Sequence, residues 1–379
     1  MNILANMFRK ITQQTSRLST PLLYRATGAI ENPLNVDSAP QRGAGHHSRR
    51  RAGLGVSLLL TLVLLVGCKE DKPTLPDAKG TPSELLVVIP SSLVDSDIAD
   101  TLQTITDCDA PGLGSAERIF RTMTIGERGY EKVYKLMHSQ LRVELDPSQR
   151  EPALGVARDV NARPQLQLVV KAASPADLRK FLSRNRERIQ YLILDFQLER
   201  YADMLRGKHS KKVMTEMRRL GYDVSMPVDM QSAKRGKDFL WASSNRGGDK
   251  DINFVFYTLP WSGEDLSDLD FYVQKRDSVM QANIPGPQEG QWMQTSRTPE
   301  GDPVLWPMLR RDEDGNWLEV RGLWDMHGGF MGGPFVARVR VDSVACKVVC
   351  AEGFVFSPNS AKRDLLRSVE AGLRTLRKL

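Results

Sequence analysis

The sequence lacks the motifs by which most enzyme classes are recognised. No Gly-x-Ser-x-Gly elbow accompanies His327-Gly328-Gly329, so an esterase-like oxyanion loop would have no nucleophile to serve. The segment 112–114 (Gly-Leu-Gly) has no third glycine for a dinucleotide loop, and no Gly-Lys-Ser/Thr is present. We therefore predict no catalytic set and no cofactor site, and interpret the glycine-rich stretch 327–334 as a tight connection between two strands.

Histidine and cysteine are scarce, with five and four copies. The histidines after residue 67 are His138, His209 and His327, and none has the His-Glu-x-x-His spacing of a zinc helix. Cys346 and Cys350 would lie roughly 13 Å apart along one strand, too far for a disulfide. A Cys-x3-Cys pair without further ligands is also a poor zinc signal. We predict no metal site and expect the cysteines after residue 68 to be buried or partly buried thiols.

The body of the chain has little excess charge. The whole sequence carries a net charge of +7, but residues 1–67 hold eight Lys/Arg and two Asp/Glu, which leaves 45 basic and 44 acidic residues beyond them. A nearly neutral body gives no support for a concentrated phosphate-binding surface, so no nucleic-acid partner is predicted. Residues 177–219 hold twelve Lys/Arg against six Asp/Glu. We interpret this run as a solvated helix face, with anionic lipid headgroups or an acidic partner as the alternative.

The N-terminal segment has the layout of a secretory signal. Three arginines at 49–51 precede an apolar run over 52–67, whose 16 residues fall short of the roughly 20 needed to span a membrane. The end of this run, Leu65-Val66-Gly67-Cys68, resembles the lipobox of bacterial lipoproteins. That resemblance implies cleavage before Cys68 and diacylglycerol on its thiol. Residues 1–45 are interpreted as an over-long gene model or an extended n-region.

The predicted location follows from this lipid. We expect the protein to be held in a membrane of the cell envelope through Cys68, with the outer membrane favoured. Lys69-Glu70-Asp71 resembles the short signal that exports some Bacteroidetes lipoproteins to the cell surface. The alternative interpretation of this tripeptide is a generic solvated tether.

Composition and periodicity divide the chain into four segments. The predicted N-terminal extension and signal peptide occupy 1–67, and a flexible tether rich in proline and charge occupies 68–82. Strands alternate with helices over 83–221, which is typical of an α/β subdomain. Residues 222–379 are predicted to form a β-rich subdomain that ends in a helix. The predicted fold class is therefore α+β.

The β-rich segment contains two clear alternating strands. Apolar and polar residues alternate over 316–324 and again over 335–342, which predicts an antiparallel sheet with one covered face. Helices predicted near 268–282 and 360–377 are expected to cover that face.

Two carboxylates are weak candidates for chemistry. Glu352 lies within 348–356, which is apolar on both sides, and a buried carboxylate is costly unless it is paired. Three arginines are candidate partners: Arg321, Arg338 and Arg340. We interpret Glu352 as a structural ion pair, with a tuned acid or a ligand contact as the alternative. An envelope hydrolase would be built around Glu352 or Asp325, and no second carboxylate can be placed beside Glu352 to form a glycosidase pair.

Several ordered motifs in the second half resemble a known family. These are Lys237–Trp241, Lys275–Pro287, Arg321–Trp324, Met331–Phe335 and Glu352–Val355. Together they resemble the Bacteroidetes envelope lipoproteins known as domain of unknown function 4837, over roughly 80–379. The resemblance implies an envelope lipoprotein and brings no activity, ligand or catalytic residue. We predict a non-enzymatic binding or assembly factor, with an envelope protein as its partner; the alternative is an envelope hydrolase.

Overall fold

The computed structural model describes residues 75–244, 250–266, 268–312 and 315–379. The predicted signal peptide, Cys68 and residues 69–74 of the predicted tether lie outside the described residues. Residues 76–79 of that tether are described, and their backbone is hydrogen-bonded to Arg163, Leu136 and His138. Within the described ranges, no helix is both long enough and apolar enough to cross a membrane.

The first sheet is mostly parallel. Its strands are β1 (Glu84–Ile89), β2 (Arg121–Gly126), β3 (Ser139–Leu145), β4 (Ala153–Arg158) and β5 (Leu166–Ala172). They are ordered β2-β1-β3-β5-β4, and only β4, at the edge, is antiparallel to its neighbour. Residues 85–89 of β1 are all buried, as expected for a strand covered on both faces. The prediction that this half has an α/β architecture is confirmed.

Three helices pack with this sheet. They are α1 (Asp97–Thr106), α2 (Pro175–Arg184) and α3 (Arg186–Gly207). α2 begins with the Ser174 hydroxyl accepting from the Asp177 backbone N–H and with Pro175 in the first turn. α2 and α3 are separate helices, because the backbone leaves helical geometry at Asn185.

The second sheet is antiparallel throughout. Its strands are β7 (Ser232–Arg235), β8 (Phe239–Ser243), β9 (Asp251–Pro260), β10 (Trp292–Thr295), β11 (Leu305–Asp312), β12 (Gly315–His327), β13 (Gly332–Asp342) and β14 (Lys347–Phe356). They are ordered β10-β12-β13-β14-β9-β8-β7, and β11 also pairs with β12. Helix α4 (Lys211–Arg219) precedes this sheet, and β6 (Tyr222–Asp223) pairs separately with β15 (Arg377–Lys378). The fold is α+β, as predicted.

Both faces of the antiparallel sheet are covered, rather than the one predicted. Helix α5 (Leu269–Asn283) packs on the face to which Val348 and Cys350 point. Helix α6 (Arg363–Leu373) packs on the opposite face, against Val349 and Ala351. The alternating polar positions of β12 and β13 lie on the α6 face. Glu319, Arg321 and Arg338 are buried there, because Arg321 pairs with Glu319 and Glu370, and Arg338 stacks on Trp317 and donates to the Leu373 carbonyl.

Helix α6 also contacts the parallel half of the molecule. The Glu117 carboxylate accepts hydrogen bonds from the backbone N–H groups of Lys362 and Arg363 at the start of the helix. The Arg367 guanidinium donates to the Ile119 carbonyl and to the Ser83 hydroxyl. Both sheets lie within one compact unit, from Pro76 to Leu379.

The three described cysteines are free thiols with different exposures. Cys350 is buried and Cys108 is partly buried, as expected. Cys346 is exposed, contrary to the prediction, because it lies in the turn between β13 and β14, where its φ is 50°.

Candidate functional site

A cavity of about 280 Å³ lies between α5 and the antiparallel sheet. An engineered protein cavity of roughly 150 Å³ is large enough to bind benzene, so this space has room for a molecule nearly twice that size. The buried wall residues are Tyr257, Tyr272, Arg276, Val339, Val348 and Cys350. The exposed rim includes Pro260, Ser262 and Lys275.

Helix α5 positions one wall of the cavity. The Asp268 carboxylate caps its first turn by accepting from the backbone N–H groups of Asp270 and Phe271. From this start, Tyr272 and Arg276 lie one turn apart on the buried side of the helix. The opposite wall comes from β9, β13 and β14, which are neighbours in the sheet order β13-β14-β9.

Arg276 and Glu352 form a fully buried ion pair at the cavity wall. The Arg276 Nε and Nη2 atoms donate to the two carboxylate oxygens of Glu352 at 2.8 and 2.6 Å. The Arg276 Nη1 atom donates to the Thr295 hydroxyl at 2.9 Å and to Asp277 at 3.2 Å, and the guanidinium stacks 4.0 Å above the Phe335 ring. Burial alone would lower the pKa of Arg276, but the Glu352 charge outweighs burial and raises it. The guanidinium therefore stays charged and fixed.

The partner of Glu352 is not one of the three arginines considered from the sequence. Successive strand residues point to opposite faces, and the cross-strand neighbours of Glu352 are Ala337 and Val255. Arg321, Arg338 and Arg340 occupy the alternate strand positions, so they point to the other face of the sheet, the one that α6 covers. A sequence signal for Arg276 was available: it occupies the apolar stripe of α5 with Leu269, Tyr272, Val273 and Met280.

Asp325 is not brought together with Glu352. The carboxylate of Asp325 accepts a hydrogen bond from Gln294 at 2.9 Å and is partly exposed. Asp325 lies four positions after Arg321 in β12, so both point to the α6 face of the sheet. Glu352 points to the other face, toward α5. The two carboxylates considered for a hydrolase therefore form no acid pair.

The hydroxyl and thiol groups of the cavity wall keep their protons. Burial raises the pKa values of Tyr257 and Tyr272 well above the usual range and raises the pKa of the Cys350 thiol to about 12. The Tyr272 hydroxyl is buried and has no hydrogen-bond partner among the described residues. Its oxygen has no surface open to the cavity, so it is an unsatisfied group behind the wall. Sequence reasoning missed it, because an apolar-stripe tyrosine resembles any other core aromatic.

The Glu264 carboxylate beside the rim is already ionised and engaged. It accepts a hydrogen bond from the Ser262 backbone N–H at 2.7 Å. That bond lowers the pKa of Glu264 below its usual value, and Lys275 contributes in the same direction. Lys275 itself lies 5.2 Å from the centre of the Phe271 ring.

The α6 face holds a second set of buried charges. Glu319 lies 3.8 and 3.6 Å from Arg310 and Arg321, and Arg321 also donates to Glu370 on α6. Burial opposes ionisation of Glu319, but the surrounding arginines, led by Arg310, lower its pKa to about 2. The Arg321–Glu370 pair links the sheet to α6. Of the predicted arginine partners of Glu352, Arg321 thus pairs with other carboxylates, while Arg338 and Arg340 stack on the Trp317 ring.

The remaining sequence features have local roles. His327 ends β12 and stacks on Trp292 at 4.0 Å, and Gly328 has a φ of 68°, so 327–334 includes the tight strand connection that was predicted. In the basic run, Arg179 pairs with Asp97, and Arg206 pairs with acids of its own helix. Among the described residues, no three His, Cys, Asp or Glu side chains are grouped to hold a metal ion.

Two family models match different parts of the chain. Residues 209–375 match the family described as Domain of unknown function (DUF4837). Over these residues the chain is similar to that family. The match begins later than the roughly 80–379 expected from the motifs, because residues 78–206 match a second family, Domain of unknown function (DUF8532). The cavity and its ion pair lie within the segment that matches DUF4837, where Arg276 and Glu352 each belong to one of the motifs that carried the resemblance.

The wider comparisons add little to this assignment. No curated protein matched the chain. A crystal structure from Bacteroides thetaiotaomicron VPI-5482 was matched at 8% identity with a TM-score of 0.18, covering 42% of this chain and 45% of the other. The chain thus spans less than half of that protein's length, and a similarity this low informs neither the fold nor the function.

Proposed function

We propose that this chain is a lipid-anchored protein of the bacterial cell envelope that binds a ligand in the cavity of the segment that matches DUF4837. The observation that carries the proposal is the cavity of about 280 Å³ between α5 and the antiparallel sheet. Its buried wall consists mostly of apolar and aromatic side chains beside the fixed guanidinium of Arg276. Concave, largely apolar spaces with a few fixed polar groups are where proteins bind small molecules.

The protonation states of the wall favour binding over catalysis. A general base works best with a pKa near the working pH, whereas the pKa values of Tyr257, Tyr272 and Cys350 are all raised away from neutrality. Arg276 and Glu352 neutralise each other. The hydrolase alternative needed Glu352 or Asp325 as a free acid, and the ion pair and their opposite faces argue against that arrangement.

The envelope location is supported by the N-terminal sequence. Leu65-Val66-Gly67-Cys68 supplies the small residue and the thiol that lipobox processing requires, and a charged, proline-containing tether follows. A tether of this composition would let the folded body reach a ligand or an envelope protein near the membrane surface.

Binding in the cavity is tested by filling it. The full chain and its Val348→Phe variant are titrated with N-phenyl-1-naphthylamine, an uncharged, apolar fluorescent probe. Val348 is 5% exposed on the cavity wall, whereas Val344 is 92% exposed in a turn, so Val344→Phe is the matched control. We expect saturable probe binding to the wild type and the control, weakened at least about tenfold by Val348→Phe. Equal binding by all three chains, each with native near-ultraviolet circular dichroism, would refute the cavity as the site.

The anchor is tested separately in the native host. Cells expressing the wild type or Cys68→Ala are fractionated, and intact cells are treated with protease. We expect the wild type in the membrane fraction, and the variant released or unprocessed. Wild-type digestion from outside would place the body on the cell surface, and protection would place it inside the envelope. An unchanged distribution of Cys68→Ala would contradict the lipid anchor.

A further inference from the structure

The turn between β12 and β13 carries a phenylalanine that the fold leaves uncovered. Phe330 is 108% exposed, the largest value among the exposed large apolar side chains of the described residues. Its ring therefore adds nothing to either core and keeps apolar surface in water. The hydrophobic effect favours any state of the molecule in which this ring is covered.

The backbone holds Phe330 in this position. The Gly329 N–H donates to the Met326 carbonyl at 2.9 Å, inside the turn. The side-chain amide of Gln291 donates to the Gly328 carbonyl at 2.7 Å and so joins the turn to the loop before β10. The ring is thus presented by a fixed turn, and covering it would order little further backbone.

The surroundings of Phe330 are uncharged. Residues 326–337 contain no Asp, Glu, Lys or Arg. Beside the turn, the partly exposed Trp292 ring stacks on His327 at 4.0 Å. Tryptophan is enriched at the boundary between lipid and water, and phenylalanine is common on the buried side of elements that lie in that boundary. A charged side chain in the turn would oppose entry into lipid, and the sequence has none there.

The exposed apolar surface is too small for a stable protein interface. Phe330 is flanked by Gly328 and Gly329 on one side and by Gly332 and Gly333 on the other, and these glycines add almost no side-chain area. A phenylalanine side chain buries about 150–250 Å², whereas a stable protein interface takes roughly 800 Å² from each partner. A bilayer needs no complementary surface, and burial of one phenylalanine shifts an equilibrium by roughly tenfold or more.

The turn lies at the end of the antiparallel sheet from which the chain passes to α6. Phe335, shortly after the turn, pairs with Phe354 near the end of β14. Helix α6 in turn begins close to the predicted tether 68–82, because the Asp364 carboxylate accepts from the Ser83 hydroxyl. The tether and the β12–β13 turn are therefore both connected to the start of α6.

The proposed lipid anchor keeps this end of the body near the bilayer, and the inference rests on that anchor. Pro76, where the compact unit begins, is eight positions after Cys68. An extended chain of that length spans at most about 29 Å. Confinement to this distance raises the effective concentration of the turn at the membrane, so a contact that is weak in free solution is favoured once the chain is anchored.

We infer that the β12–β13 turn contacts the bilayer in which the chain is anchored, with the Phe330 ring inserted at the lipid–water boundary. The partner is the lipid surface itself. Because the turn carries no charge, it selects neither anionic nor zwitterionic headgroups. Together with the lipid on Cys68, the contact gives the body two points of attachment and so limits its orientation on the membrane.

Photo-crosslinking in the native host tests the contact. Two full-length chains carry the photoreactive residue p-benzoylphenylalanine (Bpa): Phe330→Bpa in the turn and Val344→Bpa as the control. Val344 is 92% exposed in the turn at the other end of β13, so it is equally accessible. After illumination of intact cells, the adducts on the membrane-bound chain are identified by mass. We expect lipid adducts on Phe330→Bpa in roughly tenfold excess over those on Val344→Bpa, the shift given by burial of one phenylalanine.

The other outcomes overturn the inference and separate it from the proposed anchor. Equal lipid adducts at both positions, or none at position 330, would show that the turn does not contact the bilayer. A protein adduct at position 330 in place of lipid would identify a protein partner instead. If Cys68 of the mature chain carries lipid, these results refute the membrane contact alone. A mature chain without lipid on Cys68 would refute the anchor itself.

Discussion

Among single residues, the buried charges of Arg276 and Glu352 have the largest electrostatic effect on stability. Both side chains have no exposed surface, and two short hydrogen bonds join them in a fork. Removing two charges from water costs several kcal/mol per ion, and the pair recovers this only while both members are present. The pair is therefore more sensitive to the loss of one partner than to the loss of both.

This sensitivity predicts a non-additive mutant series. Glu352→Leu leaves the Arg276 guanidinium buried without its counter-charge, so we expect the free energy of unfolding to fall by about 3–5 kcal/mol. Arg276→Met combined with Glu352→Leu removes both charges and should recover most of that loss. Urea unfolding measures each variant, with Asp325→Leu as a partly exposed control that costs about 1 kcal/mol or less. A double variant as unstable as the sum of its single changes would show that the pair is not coupled.

Removal of the Tyr272 hydroxyl is expected to stabilise the protein rather than to destabilise it. Because this buried donor has no described partner, Tyr272→Phe removes an uncompensated polar group. We expect the free energy of unfolding to rise by about 1 kcal/mol. Tyr257→Phe is the matched control and should be destabilising, since the Tyr257 hydroxyl bonds to Cys350. Destabilisation by Tyr272→Phe would mean that the hydroxyl already has a partner.

For whole elements, prediction from sequence was most successful where periodicity was strong. The helix expected near 268–282 is α5 at Leu269–Asn283, and the alternating segments are β12 and β13. The predicted arginine partners of Glu352 were wrong, because strand register decides which residues of neighbouring strands point to the same face of the sheet. Local alternation in the sequence does not define that register. Coverage of the second face was missed for a related reason: polar alternation resembles solvent exposure until the acids of α6 are placed opposite the arginines.

The start of α6 shows a contact that local sequence cannot reveal. Its N-cap residue, Lys362, makes no side-chain capping bond, and Glu117, 245 positions earlier, accepts from the backbone instead. We expect Glu117→Ala to lower the free energy of unfolding by about 1 kcal/mol, the usual worth of a helix cap. Glu127→Ala, at an exposed glutamate, is the control and should have almost no effect. Similar stabilities for the two variants would argue against capping by Glu117.

At the scale of the whole molecule, a buried histidine couples stability to pH. His138 has no exposed surface, and its ring nitrogens contact the Ser139 hydroxyl and the Thr81 carbonyl at 2.7 Å each. Burial lowers its pKa from the ordinary 6.5 to about 4, although the Thr81 contact opposes this. The unfolded chain therefore takes up a proton on this residue before the folded chain does. The stability contributed by neutral His138 is complete above pH 6.5 and is lost as the pH falls toward 4.

This linkage predicts that the free energy of unfolding falls measurably as the pH is lowered. Between about pH 7.5 and pH 5 we expect the wild type to lose roughly 2 kcal/mol of unfolding free energy through His138 alone. His138→Gln lacks the titrating ring and should lose that much less over the same range. Urea unfolding of both proteins at the two pH values gives the comparison, and parallel pH dependence would exclude His138 as the source.

The cavity is a property of the whole molecule and could not be predicted from sequence. Its lining comes from 257–276 and from 339–350, and its existence depends on side chains that leave space unfilled. Cys68, in contrast to the cavity, could be predicted from sequence alone. Its assignment rests on a short contiguous pattern that needs no tertiary structure, and it remains a prediction until the mature chain is analysed.

Native mass spectrometry of the protein from its own host tests the central claim, ligand binding in the cavity between α5 and the antiparallel sheet, most directly. We expect a small, noncovalently bound molecule on the wild type and on Val344→Phe, released by activation in the instrument and missing from Val348→Phe. The released mass should belong to a largely apolar compound small enough for a cavity of about 280 Å³. The same occupancy in Val348→Phe as in the wild type would contradict the account, as would a wild-type protein that carries no such molecule under gentle conditions.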